Sequence, residues 1–284
     1  MHKHLSAARI SKYDEYYTQI KDVEDEVKHY APWLKGKAVY CPFDSYDSAF
    51  TRFFTDNYHK LELKGLRCSS LNGTLYEYDG VKTIIRQTDG DFRSASCRGF
   101  FQECDVVITN PPYSKFREFF WLLTRYHKDY LVLGNKIALS YKEVFPEFKN
   151  GYCRIGYTMP SEFNTPFGTV TLSRLSQWYT SLPTPGKKSW RATKSIANYE
   201  YEWFDNYPAR NIDRVDDIPC DYLGLMGVPI TAINGFDYSN YEIIDLIARY
   251  AIINHGFNVR GKQLTEVDGH PRFSRLIIIK KVKE

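Results

Sequence analysis

The 284-residue chain has no CxxC pair and no histidine at metal-ligating spacing, and its six cysteines (Cys41, Cys68, Cys97, Cys104, Cys153, Cys220) are scattered. That pattern excludes a cysteine-rich zinc module, and the length excludes a small disulfide-stapled scaffold. No metal site is expected. No stretch approaches the roughly 18 apolar residues of a membrane span. Met1-His2-Lys3-His4-Leu5-Ser6 offers no apolar segment of the kind a secretory leader carries, so a reducing cytoplasm is the expected compartment. Net charge is only +4. The chain as a whole is not a polycation, and any nucleic-acid surface must come from local clustering. Internal repeats and low-complexity tracts are also missing.

What is present is ordinary globular material: 43% hydrophobic and 25% charged residues, enough for one large domain or for a catalytic domain with a smaller partner. The aromatic share of 16%, with 23 Tyr and 18 Phe, is high. Aromatic rings fill cores first and stack on bases second. Ile20, Val23, Val27 and Tyr30 recur at three- and four-residue steps and predict a helix over 19–34. Further on, the pattern predicts strands over 37–41, 66–71, 81–86, 105–109 and 130–134, with helices over 47–58 and 116–126. Strands alternating with helices imply a largely parallel, doubly wound α/β sheet. Beyond about residue 175 the texture changes. Pro183-Thr184-Pro185-Gly186 interrupts the pattern, 199–240 shows little periodicity, and a last strand is predicted over 276–279. These shifts place a boundary near 178, dividing the chain into 1–178 and 179–284.

The most informative run is Asp105 to Arg117, DVVITNPPYSKFR. In open parallel sheets ligands bind beyond the carboxyl ends of the strands. An asparagine followed by two prolines at that edge makes a stiff loop with few backbone donors. Asn110 offers an amide oxygen, and the Pro111 carbonyl, held by the Pro112 ring that follows, is a second acceptor. Two converging acceptors suit an exocyclic amine, which has two hydrogens to donate. The amine's lone pair is conjugated into its ring and is a poor nucleophile. Holding both hydrogens draws the nitrogen toward tetrahedral geometry and frees the pair for in-line attack on a sulfonium methyl. Tyr113 supplies a face on which an extruded base can stack. The bland reading is a proline-rich turn in which Tyr113 merely packs; the strand before it and the helix after it favour chemistry.

Several segments, in order, resemble the EcoRI-type family of adenine-specific DNA methyltransferases. They are Lys12-Tyr13-Asp14-Glu15-Tyr16-Tyr17-Thr18-Gln19, Val39-Tyr40-Cys41-Pro42-Phe43-Asp44, Asp89-Gly90-Asp91-Phe92-Arg93-Ser94, Asn110-Pro111-Pro112-Tyr113 with its helix, Trp178-Tyr179-Thr180-Ser181-Leu182, and Asp221-Tyr222-Leu223-Gly224-Leu225-Met226-Gly227-Val228-Pro229-Ile230-Thr231. The resemblance implies a Rossmann-like S-adenosylmethionine-dependent sheet followed by a C-terminal target-recognition region. It implies transfer of a methyl group to adenine N6 in double-stranded DNA, with base flipping, by an enzyme that acts as a monomer. Donor motif, catalytic loop and recognition region follow one another in the order called gamma among DNA methyltransferases. The donor contacts it implies are Tyr17, Thr18, Cys41, Asp44, Asp91 and Asn110. The loop after the first strand lacks the Gly-rich form many methyltransferases use there, and Pro42 and Phe43 depart from the family's usual residues.

Each candidate has a structural alternative. Asp44 can serve the donor's ammonium or hydroxyls, or cap the following helix; Asp91 can accept from the donor's adenine, or close a turn at Asp89-Gly90-Asp91. Tyr16 can be core. Lys187, Lys188, Arg191 and Lys194 surround Trp190 without an acid among them and read as a phosphate-contacting loop or a solvated one. Arg272 and Arg275, with Lys280, Lys281 and Lys283, read the same way. His255 and His270 read as structural or surface residues. Competing functions are methylation of an RNA amine or a protein glutamine through the same loop chemistry, and a catalytically dead nucleic-acid-binding module. An intact Asn110 and Tyr113 argue against the last.

Overall fold

A computed structural model describes residues 16–87, 89–165, 168–171, 175–247 and 265–282. Lys12 to Glu15, His255 and Lys283 lie outside the described residues. The chain forms two compact units, one of residues 1–138 and 156–185, the other of 139–155 and 186–284.

The first unit is built on a large mixed sheet. Its parallel centre runs Gly65–Ser69, Ala38–Pro42, Val106–Thr109, Asp129–Asn135. All four residues of Val106–Thr109 are buried, as a strand covered by helices on both faces requires. The sheet is less uniformly parallel than the alternation predicts. An antiparallel strand at Thr74–Tyr78, not anticipated, pairs with Gly65–Ser69 and with Thr83–Gln87, and Ser176–Thr180 closes against Asp129–Asn135 in the same sense. Asn72-Gly73 and Asp79-Gly80 account for the first part: both glycines adopt positive φ, and such dipeptides reverse a strand onto itself.

From Ala38–Pro42 the chain moves outward to Gly65–Ser69, then returns to lay Val106–Thr109 on the other side of the first strand. The sheet order therefore reverses between Ala38–Pro42 and Val106–Thr109. Ligands of open α/β sheets bind beyond the carboxyl ends of strands at such a reversal.

Helices cover the sheet through apolar faces. Phe116–Arg125 buries Phe116, Phe119, Phe120 and Leu123 at three- and four-residue spacing. Gly134 permits its close approach, since a Cβ there would sit 2.3 Å from the Phe116 ring. The helix predicted over 19–34 is an α-helix at Ile20–Val27, a 3₁₀ turn at Lys28–Tyr30 and a short helix at Ala31–Leu34. The break precedes Pro32, which cannot continue the hydrogen-bond ladder. Val23, Val27, Tyr30 and Leu34 are all fully buried in the core.

The second unit carries a four-stranded sheet ordered Arg210–Asn211, Met226–Pro229, Arg275–Lys280, Tyr241–Ile247. Phe204, Tyr207, Ala209, Ile247, Val267 and Ile277 pack as its apolar cluster. Residues 139–155 join this unit through long-range bonds: Lys149 Nζ donates to Ile244 O at 3.0 Å and the Tyr238 hydroxyl to Phe148 O at 2.6 Å. Among the described residues no helix is long and apolar enough to cross a membrane.

Candidate active site

Two loops leave neighbouring parallel strands at the reversal point, Phe43–Asp44 after Ala38–Pro42 and Asn110–Tyr113 after Val106–Thr109. They border a cleft of about 1130 Å³ that Tyr16, Tyr17, Thr18, Asp44, Asn110 and Pro112 line. This is somewhat above the roughly 300–1,000 Å³ range of small-molecule sites, with room for more than one planar group.

Asn110 is oriented by the chain's N-terminal segment. Its Nδ2 donates to Tyr16 O at 2.5 Å and to Thr18 Oγ1 at 3.1 Å. A carbonyl oxygen can only accept, so the contact with Tyr16 fixes which end of the amide is nitrogen. Among the described residues, no group donates to Asn110 Oδ1. Pro111 and Pro112 are buried. Tyr113 is partly buried, its hydroxyl 2.8 Å from the Oγ of the fully buried Ser176 and its ring 5.4 Å from that of Tyr16. Burial raises the Tyr113 phenol above its ordinary pKa, against the opposing pull of Ser176.

Asp44 is 8% exposed and accepts from the Thr109 hydroxyl at 2.8 Å. Burial pushes its carboxyl up to about 8, although hydrogen bonds from Thr109 and Ser48 pull the other way. The helix cap is Ser48, whose hydroxyl accepts from Thr51 N at 3.1 Å. Asp44 is thus left facing the cleft. Phe43 occupies the left-handed region at φ 71°, the conformation for which a glycine is usual. Its ring packs 5.2 Å from Phe92 and 5.0 Å from Phe119 and also lines the cleft. The missing glycine is therefore replaced by a strained phenylalanine held in place by aromatic packing.

Not every predicted residue lines the cleft: of the Asn110–Tyr113 loop, Asn110 and Pro112 do, whereas Pro111 and Tyr113 flank Pro112 without lining the cleft. Cys41 is fully buried in its strand and does not line it. Asp91 does not line the cleft either and closes a local turn, bonding Arg93 N at 2.9 Å and Arg93 Nη2 at 2.7 Å. The Arg93 guanidinium holds the Asp91 carboxyl down at about 2. Sequence reasoning missed Phe43 as a lining residue, together with Ser70, Leu71 and Asn72 at the end of Gly65–Ser69. The Asn72-Gly73 turn, at the carboxyl edge of a parallel strand, was the available signal.

In the second unit the basic residues separate into two groups. Lys187 donates to Ile155 O at 2.8 Å; Lys194 pairs with Asp217 and lies 4.7 Å over the Tyr199 ring. Arg275 is 6% exposed and bonded to Asp213 at 3.0 Å, and Arg272 lies 3.5 Å from Glu202. Trp190 donates to Ala232 O at 2.8 Å and packs against Phe236 and Tyr241. Lys188 and Arg191 are exposed, with no partner among the described residues. Lys280 and Lys281 bind the backbone at Cys220 and Tyr238, and His270 is exposed.

No solved structure gives a significant match to the chain. Among curated proteins, Type II methyltransferase M.MpnI of Mycoplasma pneumoniae is 32% identical, the match covering 97% of each chain. M.MgeORF184P of Mycoplasma genitalium is 31% identical over 98% of each. Type II methyltransferase M.EcoRI of Escherichia coli is 30% identical over 92% of this chain and 93% of its own. The family profile described as adenine-specific methyltransferase EcoRI matches residues 4–79 and 72–283. The chain belongs to the EcoRI family of adenine-specific methyltransferases.

Proposed function

We propose that this methyltransferase transfers the methyl group of S-adenosylmethionine to the N6 amine of adenine in double-stranded DNA, the base being turned out of the helix into the first unit. The observation that carries the reading is the Asn110 amide, with its nitrogen tied to Tyr16 and Thr18 and its oxygen left to accept. Asn110 Oδ1 and Pro111 O each take one hydrogen of the amine, and the ring of Tyr113 stacks on the base. A paired adenine keeps that amine inside the duplex, so an acceptor in a cleft requires extrusion.

The cleft fits the donor. Its volume admits a nucleoside with an amino-acid arm, Asp44 offers a carboxyl to an ammonium or hydroxyl, and Asn72 offers a further polar contact. When bound, the donor supplies an electrophilic methyl on a sulfonium. The chain's own part is to aim the amine, exclude water and accept its hydrogens. Rossmann-like describes the parallel centre of the sheet, and the second unit serves as the region that reads DNA.

The test is transfer from isotope-labelled S-adenosylmethionine to unmodified DNA, followed by nucleoside mass spectrometry. Label in N6-methyladenine, without added divalent ion, is the expected result. Label confined to RNA, to protein or to cytosine defeats the reading.

A further inference from the structure

Thr18 lines the cleft and invites assignment as a contact of the donor. Its hydroxyl has a second neighbour that gives it another task. We infer that Thr18 is a positioning residue for methyl transfer, fixing the plane of the Asn110 carboxamide whose sense the Tyr16 carbonyl sets. This inference rests on the reading above, in which Asn110 Oδ1 accepts from the reacting amine.

A carboxamide turns about a broad, roughly two-fold torsion, and half a turn exchanges oxygen for nitrogen. With nitrogen forward, Asn110 presents donors to an amine that itself needs acceptors, and the complex is unproductive. The bond to Tyr16 O, which can only accept, opposes that turn; the Thr18 hydroxyl, able to donate as well as accept, fixes the plane in which the amide lies. One hydrogen of Nδ2 goes to Tyr16 O at 2.5 Å and the other to Thr18 Oγ1 at 3.1 Å. Tyr16 contributes a backbone oxygen, so Thr18 provides the side-chain half of the clamp.

The Thr18 oxygen is itself well fixed. Tyr17–Thr18 forms a two-residue strand antiparallel to Glu162–Thr165, with Thr18 opposite the fully buried Phe163. Thr18 is 6% exposed. A β-branched side chain in a paired strand has little freedom at χ1, so the oxygen meets Asn110 at little further entropic cost. The segment that borders the cleft thereby also orients the catalytic amide, although 92 residues separate the two side chains in sequence.

The full-length chain, with Thr18→Val and Thr18→Ser, tests this. Val keeps the shape and removes the oxygen; Ser keeps the oxygen and removes the methyl. Single-turnover transfer into unmodified phage DNA is measured at saturating tritiated S-adenosylmethionine, with donor affinity determined separately by equilibrium dialysis. Thr18→Val should transfer about tenfold more slowly while donor Kd stays within about twofold, and Thr18→Ser should stay within about threefold of wild type, on the scale of one weakened polar contact. The inference is overturned if Val transfers at the wild-type rate, if its defect is a raised donor Kd that saturation removes, if Val no longer binds donor, or if Ser is as slow as Val. An active wild type with an insensitive Val variant removes this inference alone. A wild type that transfers nothing to DNA adenine removes the proposed function, and this inference with it.

Discussion

At the scale of single residues, the cleft distinguishes groups that share a formal ability. An aspartate at 110 would keep two acceptor oxygens, yet it would set a carboxylate against Tyr16 O, an oxygen that can only accept and to which Asn110 now donates. Asn110→Asp should therefore lose turnover on the order of a hundredfold, as Asn110→Ala should; a steady-state assay in which Asp retains most activity would show that the nitrogen's tethers are dispensable. Asp44 offers a pH test. Its carboxyl is raised from the ordinary 3.8 to about 8 because burial penalises the charge. The folded chain thus holds a proton that the unfolded chain releases above about 3.8. The associated stability is complete below that value and drains away as pH climbs toward 8. Asp44→Asn carries no such penalty, so its melting temperature relative to wild type should rise between pH 4 and pH 8 and level off above. Thermal melts giving a pH-independent difference would refute the assignment. Asn110 and Asp44 were legible in the sequence because each follows a buried strand as a polar residue among prolines or aromatics. Phe43 was not legible as a lining residue, since nothing local announces that a phenylalanine will adopt a glycine's conformation.

At the scale of elements, most helices and parallel strands follow from apolar spacing, and the misses have local causes. The Thr74–Tyr78 strand is bracketed by Asn72-Gly73 and Asp79-Gly80, turn signals that outrank the expectation of parallel crossovers. Glu26 is a subtler case. It sits in the run Asp22-Val23-Glu24-Asp25-Glu26-Val27, where four of six residues are acidic. It nevertheless lies three residues after Val23 and four before Tyr30, on the apolar face, and it is fully buried. Its carboxylate accepts from Tyr30 OH at 2.9 Å, Tyr157 N at 2.9 Å, Thr158 N at 2.7 Å and Thr158 Oγ1 at 2.7 Å. Gly156 leaves the necessary space, since a Cβ there would sit 2.2 Å from Glu26 Oε1. This cluster docks the Ile20–Val27 helix, and with it the segment that holds Asn110. Glu26→Ala strands one buried and three half-buried donors at about 1–3 kcal/mol each, so a loss of about 3–5 kcal/mol is expected by urea denaturation. A loss below about 1 kcal/mol would mean that water replaces the carboxylate.

At the scale of the whole molecule, the placement of charge matters more than its sum, because a net +4 cannot by itself hold a polyanion. The stretch from Lys187 to Lys194 looked uniform in sequence because its partners are distant: Ile155 for Lys187 and Asp217 for Lys194. Folding takes those two cations into local bonds and leaves Lys188 and Arg191 exposed on either side of Trp190, whose packing against Phe236 and Tyr241 holds the loop. A free cation on a held loop is a good phosphate contact, since little side-chain order remains to be imposed on the backbone. Each such contact releases counterion, giving log affinity a salt slope of about one unit. The double change Lys188→Gln and Arg191→Gln should weaken DNA binding across all sequences and flatten that slope by about two units, with turnover at saturating DNA near wild type. Lys194→Gln is the control: its ammonium serves Asp217, so stability should fall while the slope holds. Titrations at several salt concentrations separate the outcomes. An unchanged slope in the double variant makes the loop a solvated one. Lost site preference with an unchanged slope places Lys188 and Arg191 against base edges instead of phosphates, where each removed contact costs discrimination at one position of the site.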